Sequence, residues 1–260
     1  MNLKQLFLTN NECYKIGKKH AIKGIMLHST GANNPNLGRY IGPDDGYLNS
    51  GNNHWNVFRP NGRQVCVHAF IGKLKDGSIA TYQTLPWDMV GWHSGSGAKG
   101  SANFMGYIGF EICEDNLTDR SYFDKVYKES VELCTYLCSE NNLNPLTDII
   151  CHSEGYKQGI ASNHADVMHW FPKYGKSMDT FRQDVKRELE KNNIQEEKNM
   201  AEKIYNTLDE CPDYAKPTIK KLIDNKLLEG KLINGKPSGL NLTEQMLRLL
   251  VINDRAGLYK

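Results

Sequence analysis

Long apolar runs are missing from this 260-residue sequence. No segment approaches the roughly 20 apolar residues that a membrane-spanning helix needs, which excludes membrane insertion. The opening stretch MNLKQLFLTNNECYK has one early lysine and an apolar run of only Leu6, Phe7 and Leu8, far short of a secretory core. The expectation is a protein made in the cytoplasm without a signal peptide. Paired cysteine motifs are missing too. The seven cysteines, at positions 13, 66, 113, 134, 138, 151 and 211, form no C-x-x-C pair, so neither a zinc knuckle nor a redox motif is indicated. They read as free, mostly buried thiols of a reducing compartment. Finally, no charge of one sign dominates. There are 32 Lys and Arg against 30 Asp and Glu, and residues 201–260 hold ten of the basic and eight of the acidic side chains. Neither part has the basic surplus that neutralises phosphates, so nucleic acid is excluded as a partner.

The elements that are present alternate between strand and helix patterns. IKGIMLH (22–28) reads as a buried strand ending at His28, followed by a long polar loop. HWNVFRPNGRQVCVHAF has the look of a hairpin turning at Pro60, Asn61 and Gly62. MGYIGFEIC (105–113) is a second buried strand. Phe123, Val126, Tyr127, Cys134, Leu137 and Cys138 recur at helical spacing up to ENNLNP, and TDIICH is a third strand. A helix around MDTFRQDVKRELEKNN closes a first domain, 1–190. The polar NNIQEEKN opens a linker or frayed helix end, 191–204. Residues 205–260 form a small helical unit. Its first helix carries Ile219, Leu222, Ile223 and Leu227 on one face, and its second is apolar around nearly its whole circumference. So small a unit has little core to bury that surface, which implies a partner.

Only eight histidines are present, and His152, His164 and His169 crowd with Asp166 into CHSEGYKQGIASNHADVMHWFP. His28 and His152 both end strands, and neighbouring strand ends can bring them together. A catalytic zinc site takes three protein ligands and leaves a fourth position for water. Cys151 cannot easily be the third ligand, because consecutive strand residues point to opposite faces. His164 and Asp166, two apart in an extended loop, are the candidates. Glu111, a charge inside the apolar IGFEIC, is costly unless function compensates it.

Taken in order, GIMLHSTG, NNHWNVF, PWDMVGWHSG, IGFEICED and CHSEGYKQGIASNHADVMHWFP resemble the zinc-dependent N-acetylmuramoyl-L-alanine amidases of the type 2 family, related to phage amidases and peptidoglycan recognition proteins. The resemblance covers roughly residues 20–175. It implies an α/β fold, a mixed central β-sheet flanked by helices, here followed by the small α-helical C-terminal domain. It also implies one Zn²⁺ per catalytic domain, with His28, His152 and Asp166 as ligands. His164 stands where the family usually has a lysine that steadies the oxyanion, and Val167 and Met168 replace the common Pro-Gly after the acid. Glu111 matches the carboxylate beside the catalytic water. Trp92 and His93 match a substrate-groove segment, and His54 borders the cleft. His20, His68 and His169 are read as structural.

The function implied is hydrolysis of the amide between N-acetylmuramic acid and L-alanine in bacterial peptidoglycan by an endolysin that reaches the wall after holin-type release. The alternative is a non-catalytic peptidoglycan-binding protein of the same superfamily. For residues 205–260 the expectation is wall binding or assembly of a homo-oligomer.

Overall fold

The computed structural model describes residues 1–48, 54–56, 64–233 and 236–259. The chain divides into two compact units, Met1–Leu189 and Glu190–Lys260. In the first, strands β1 (Leu3–Gln5), β2 (Gly24–Ser29), β3 (Ala69–Lys73), β4 (Ile79–Gln83), β5 (Tyr107–Ile112) and β6 (Ile149–Cys151) form one sheet in the order β1-β4-β3-β5-β2-β6. Only the β3–β4 pair is antiparallel; every other neighbour is parallel. The helices of this unit are α1 (Glu12–Ile16), α2 (Arg120–Asn141), α3 (Pro145–Asp148) and α4 (His152–Gln158), and α5 (Met178–Glu202) begins in it and runs past its boundary.

Strand β2 is buried at every position, as an interior parallel strand covered on both faces must be. The two-residue period then sorts its side chains. Ile25 and Leu27 of β2, Ile108, Phe110 and Ile112 of β5, and Cys151 of β6 share one buried cluster with the apolar face of α2 and with Phe181 and Val185 of α5. Met26, His28, Gly109 and Glu111 alternate with them and therefore face the other side of the sheet. His28 and Glu111 are paired in register across β2 and β5, which sets them side by side on that face. Cys151 is thus committed to the core, and the chain turns over before His152. Helix α2 is stopped as its sequence demands. The Asp119 carboxylate caps its start by accepting the Tyr122 N–H, and Asn142 ends it in the left-handed region, at φ 52°.

Two stretches differ from the sequence reading. The hairpin proposed across Pro60, Asn61 and Gly62 has its turn outside the described residues; the described antiparallel partner of β3 is β4, which the sequence reading did not pick out. Helix α5 runs on to Glu202, through most of the segment read as a linker. Its Glu, Lys and Gln are good helix formers even without an apolar face.

In the second unit, α6 (Lys216–Asp224) and α7 (Glu244–Arg255) pack around Tyr205, Cys211, Ile219, Leu222, Leu242, Leu247 and Val251. Short two-residue strands pair Ile204–Tyr205 with Leu242–Thr243. Leu227 does not extend the buried face of α6. The helix ends at Asp224, Lys226 takes a positive φ of 57°, and Leu227 is 59% exposed. On α7 the apolar circumference splits: Leu247 and Val251 are buried, while Met246, Leu249 and Ile252 are exposed.

Candidate metal centre and cleft

Three segments converge beyond the ends of β2 and β6. His28 lies near the end of β2, His152 is the first residue of α4, and Asp166 opens a 3₁₀ turn, Asp166–His169, with the strained φ of 43°. The Asp166 Oδ2 lies 2.9 Å from His152 Nδ1 and 3.2 Å from His28 Nδ1, and the two Nδ1 atoms are 3.0 Å apart. All three groups are buried or nearly so, and they are the one His/Cys/Asp/Glu group among the described residues whose ligand atoms gather closely enough to hold a metal. Tetrahedral bonds of about 2.05 Å require ligand atoms about 3.3 Å apart, close to what is found.

The outer nitrogens support the same reading. His28 Nε2 is 2.9 Å from His93 Nδ1, and His93 Nε2 is 3.2 Å from the Tyr107 carbonyl oxygen. That carbonyl can only accept, so His93 carries its proton on Nε2, leaves Nδ1 bare, and must receive the His28 Nε2–H. His28 Nδ1 is then a lone pair. With His152 Nδ1 and a carboxylate oxygen it makes three electron-rich atoms aimed at one point, an arrangement that calls for a cation. Such outer partners fix the tautomer and aim of ligating histidines. Burial drives the His28 and His93 rings below the ordinary imidazole value, with neighbouring imidazoles adding to the shift at His93.

The centre opens into a cleft of about 480 Å³. Glu111, His164 and Trp92 line it, with Trp55, Val65 and Val67 among its apolar walls. Glu111 is half-buried, its Oε2 is buried with no hydrogen-bond partner, and burial together with Asp166 and Glu114 pushes its carboxyl well above the usual range. His164 is exposed, with Nδ1 3.1 Å from the Ser162 hydroxyl. Trp92 is 44% exposed and meets Phe104 edge-on.

Of the other residues expected at the substrate, His93 lines the cleft, with both its ring nitrogens engaged, one of them by a candidate ligand. His54 is not among the residues lining the cleft; its ring lies against Gly42, where a Cβ would meet it at 2.5 Å. The sequence reading also missed Glu114. Its buried Oε1 accepts from Ser29 Oγ at 2.5 Å and lies 2.9 Å from His169 Nε2, so one carboxylate ties the end of β2 to the turn that carries Asp166. Ser162 was missed as well, since nothing in local sequence distinguishes a serine that bridges two histidines from one that caps a turn.

A family profile described as N-acetylmuramoyl-L-alanine amidase matches residues 18–169. The N-acetylmuramoyl-L-alanine amidase CwlH of Bacillus subtilis (strain 168) is 40% identical over 73 residues, 28% of this chain; the chain spans 27% of the length of that relative. The fold is similar to that of PlyL, with a TM-score of 0.50 and 19% identity over 71% of this chain and 96% of that one. It is also similar to that of the Staphylococcus aureus hydrolase AmiA, solved with its ligand, with a TM-score of 0.51 and 16% identity over 73% of this chain and 83% of that one.

Proposed function

Because the chain belongs to the N-acetylmuramoyl-L-alanine amidase family, we propose that it hydrolyses the amide joining N-acetylmuramic acid to L-alanine in bacterial peptidoglycan, with zinc held by His28, His152 and Asp166. The observation that carries this reading is the convergence of two imidazole lone pairs and one carboxylate oxygen beside the unpartnered Glu111 oxygen. When bound, zinc supplies Lewis acidity, polarising the scissile carbonyl and acidifying water.

The protein's own groups do the rest. As a carboxylate whose burial strengthens it as a base, Glu111 takes the proton of the attacking water and, now a carboxylic acid, delivers it to the departing amine of L-alanine. A neutral His164 ring directs an N–H at the oxygen that becomes negative in the tetrahedral intermediate, the place where preorganised donors contribute most. The exposed Trp92 ring and the apolar wall of Trp55, Val65 and Val67 cover the sugar or stem and shield the reacting amide.

The test is the product. Purified full-length protein acting on cell walls should release L-alanine amino termini, and chelation should abolish this. Reducing sugar ends in their place would overturn the assignment, and a metal content near zero after purification would favour the binding-only alternative. Lysis from within belongs to the same proposal: cytoplasmic expression should lyse a susceptible host with a co-expressed holin and leave it intact without one. For α7 we propose a second copy of the chain as the partner. Met246, Leu249 and Ile252 form an i, i+3, i+6 stripe that a two-fold axis can pair with itself. Light scattering should find a dimer that Ile252→Glu dissociates; a monomeric wild type would refute it.

A further inference from the structure

We propose that Ser162 is a positioning residue that fixes the tautomer of His164 and ties that ring to the ligand His152. The inference rests on the reading of His164 as oxyanion donor. His152 faces Asp166 and His28 with Nδ1, so a neutral His152 ligating through that atom keeps its single proton on Nε2. Nε2 lies 3.3 Å from Ser162 Oγ, which therefore accepts. The serine then has one proton to give and two acceptors in reach, the Ser94 carbonyl oxygen at 3.2 Å and His164 Nδ1 at 3.1 Å. The Ser94 oxygen already accepts the backbone N–H of Ser162 at 2.9 Å, whereas His164 Nδ1 has no other partner among the described residues. The Ser94 oxygen keeps a second lone pair, and the proton is assigned to His164 Nδ1 as the nearer acceptor and the one with no other donor among the described residues.

A neutral His164 that accepts at Nδ1 must hold its proton on Nε2, the nitrogen left for the cleft. The relay is His152 Nε2–H to Ser162 Oγ, and Ser162 Oγ–H to His164 Nδ1. Where a lysine needs no tautomer, a histidine does, and the serine supplies it. The hydroxyl is itself held in place. Gly95 has a φ of 62°, and a Cβ there would meet Ser162 Oγ at 2.7 Å and Ser162 Cβ at 2.9 Å, so the missing side chain is the seat into which Ser162 fits.

The experiment uses the full-length zinc-loaded protein with ¹⁵N-labelled histidine. Long-range ¹H–¹⁵N correlation spectra at neutral pH should show His164 with a bare Nδ1 and a protonated Nε2; a proton on Nδ1 in the wild type overturns the proposal whatever the variants do. Kinetics at saturating zinc give a second arm. Ser162→Ala should lower kcat about ten- to a hundredfold, the scale for an outer-shell partner, with KM unchanged. In a His164→Ala background the same change should cost nothing further. Equal losses in the two backgrounds would mean that Ser162 does not act through His164. If His164→Ala alone leaves kcat intact while the spectra show the expected tautomer, the oxyanion reading fails and the relay stands.

Discussion

Asp166 and His164 are two residues apart in one loop, and the geometry gives them separate tasks. Asp166 Oδ2 contacts both candidate ligand nitrogens, while His164 faces the cleft and touches the centre only through Ser162 and the flank of His152. Asp166→Ala should therefore lose zinc and with it activity. His164→Ala should keep near-stoichiometric zinc and lose about 10²- to 10³-fold in kcat, the scale of one oxyanion donor. Metal content by plasma emission, set beside kcat for each variant, checks the pair; a zinc-free His164→Ala with a metal-replete, active Asp166→Ala would invert the assignment. Glu111→Gln keeps size and shape but cannot take a proton. It should retain zinc and lose at least about 10²-fold in kcat, and a Gln variant of near-wild-type rate would remove Glu111 from the chemistry.

At the scale of elements, the parts legible in the sequence were those written in local pattern. The apolar runs of β2 and β5 and the 3.6-residue spacing in α2 reveal the centre of the sheet, and the place of His28 near the end of β2 follows from them, whereas His152, read as a strand end, opens α4 once β6 has stopped at Cys151. Cys151 could be set aside as a ligand from the two-residue period alone, and it lies in the core. What was not legible depends on contacts between distant segments. The engagement of His93 by His28, the seat of Ser162 on Gly95 and the Glu114 tie between β2 and the Asp166 turn all join residues many positions apart. Gly109 belongs with them. It sits in the interior of β5, where a glycine weakens a strand, and a Cβ there would meet the His93 ring at 2.5 Å. Its lack of a side chain is what lets His93 lie against the sheet and receive the His28 proton. Gly109→Ala should displace His93 and weaken zinc affinity about tenfold or more, measured by competition with a chromophoric chelator. Unchanged affinity would show that His93 does not steady the ligand.

For the whole molecule, acid should act through a histidine that no substrate reaches. His68 is fully buried between the loops and strand β5. Its Nε2 lies 2.7 Å from the Met89 carbonyl oxygen and its Nδ1 accepts the Gly109 N–H at 3.0 Å, so the neutral ring has both nitrogens satisfied. A second proton would turn Nδ1 from acceptor to donor, against the Gly109 N–H and with only the Gly109 carbonyl oxygen at 3.3 Å in reach to receive it. Burial accordingly lowers its pKa from 6.5 to about 4, against weaker support for the charged form from the Met89 carbonyl. The unfolded chain takes up this proton near pH 6.5 and the folded chain only near pH 4, so within that window the unfolded state binds more protons and stability falls as pH falls. At about 1.4 kcal/mol per unit, the ring alone removes about 3 kcal/mol between pH 6.5 and 4, a large share of the roughly 5–15 kcal/mol that holds a domain folded. Two measurements on the chelated protein check this. An NMR titration should leave the His68 ring neutral down to about pH 4, and urea unfolding should show stability declining with acid through the same range. A His68 ring that titrates near 6.5 in the folded protein would place the acid sensitivity elsewhere.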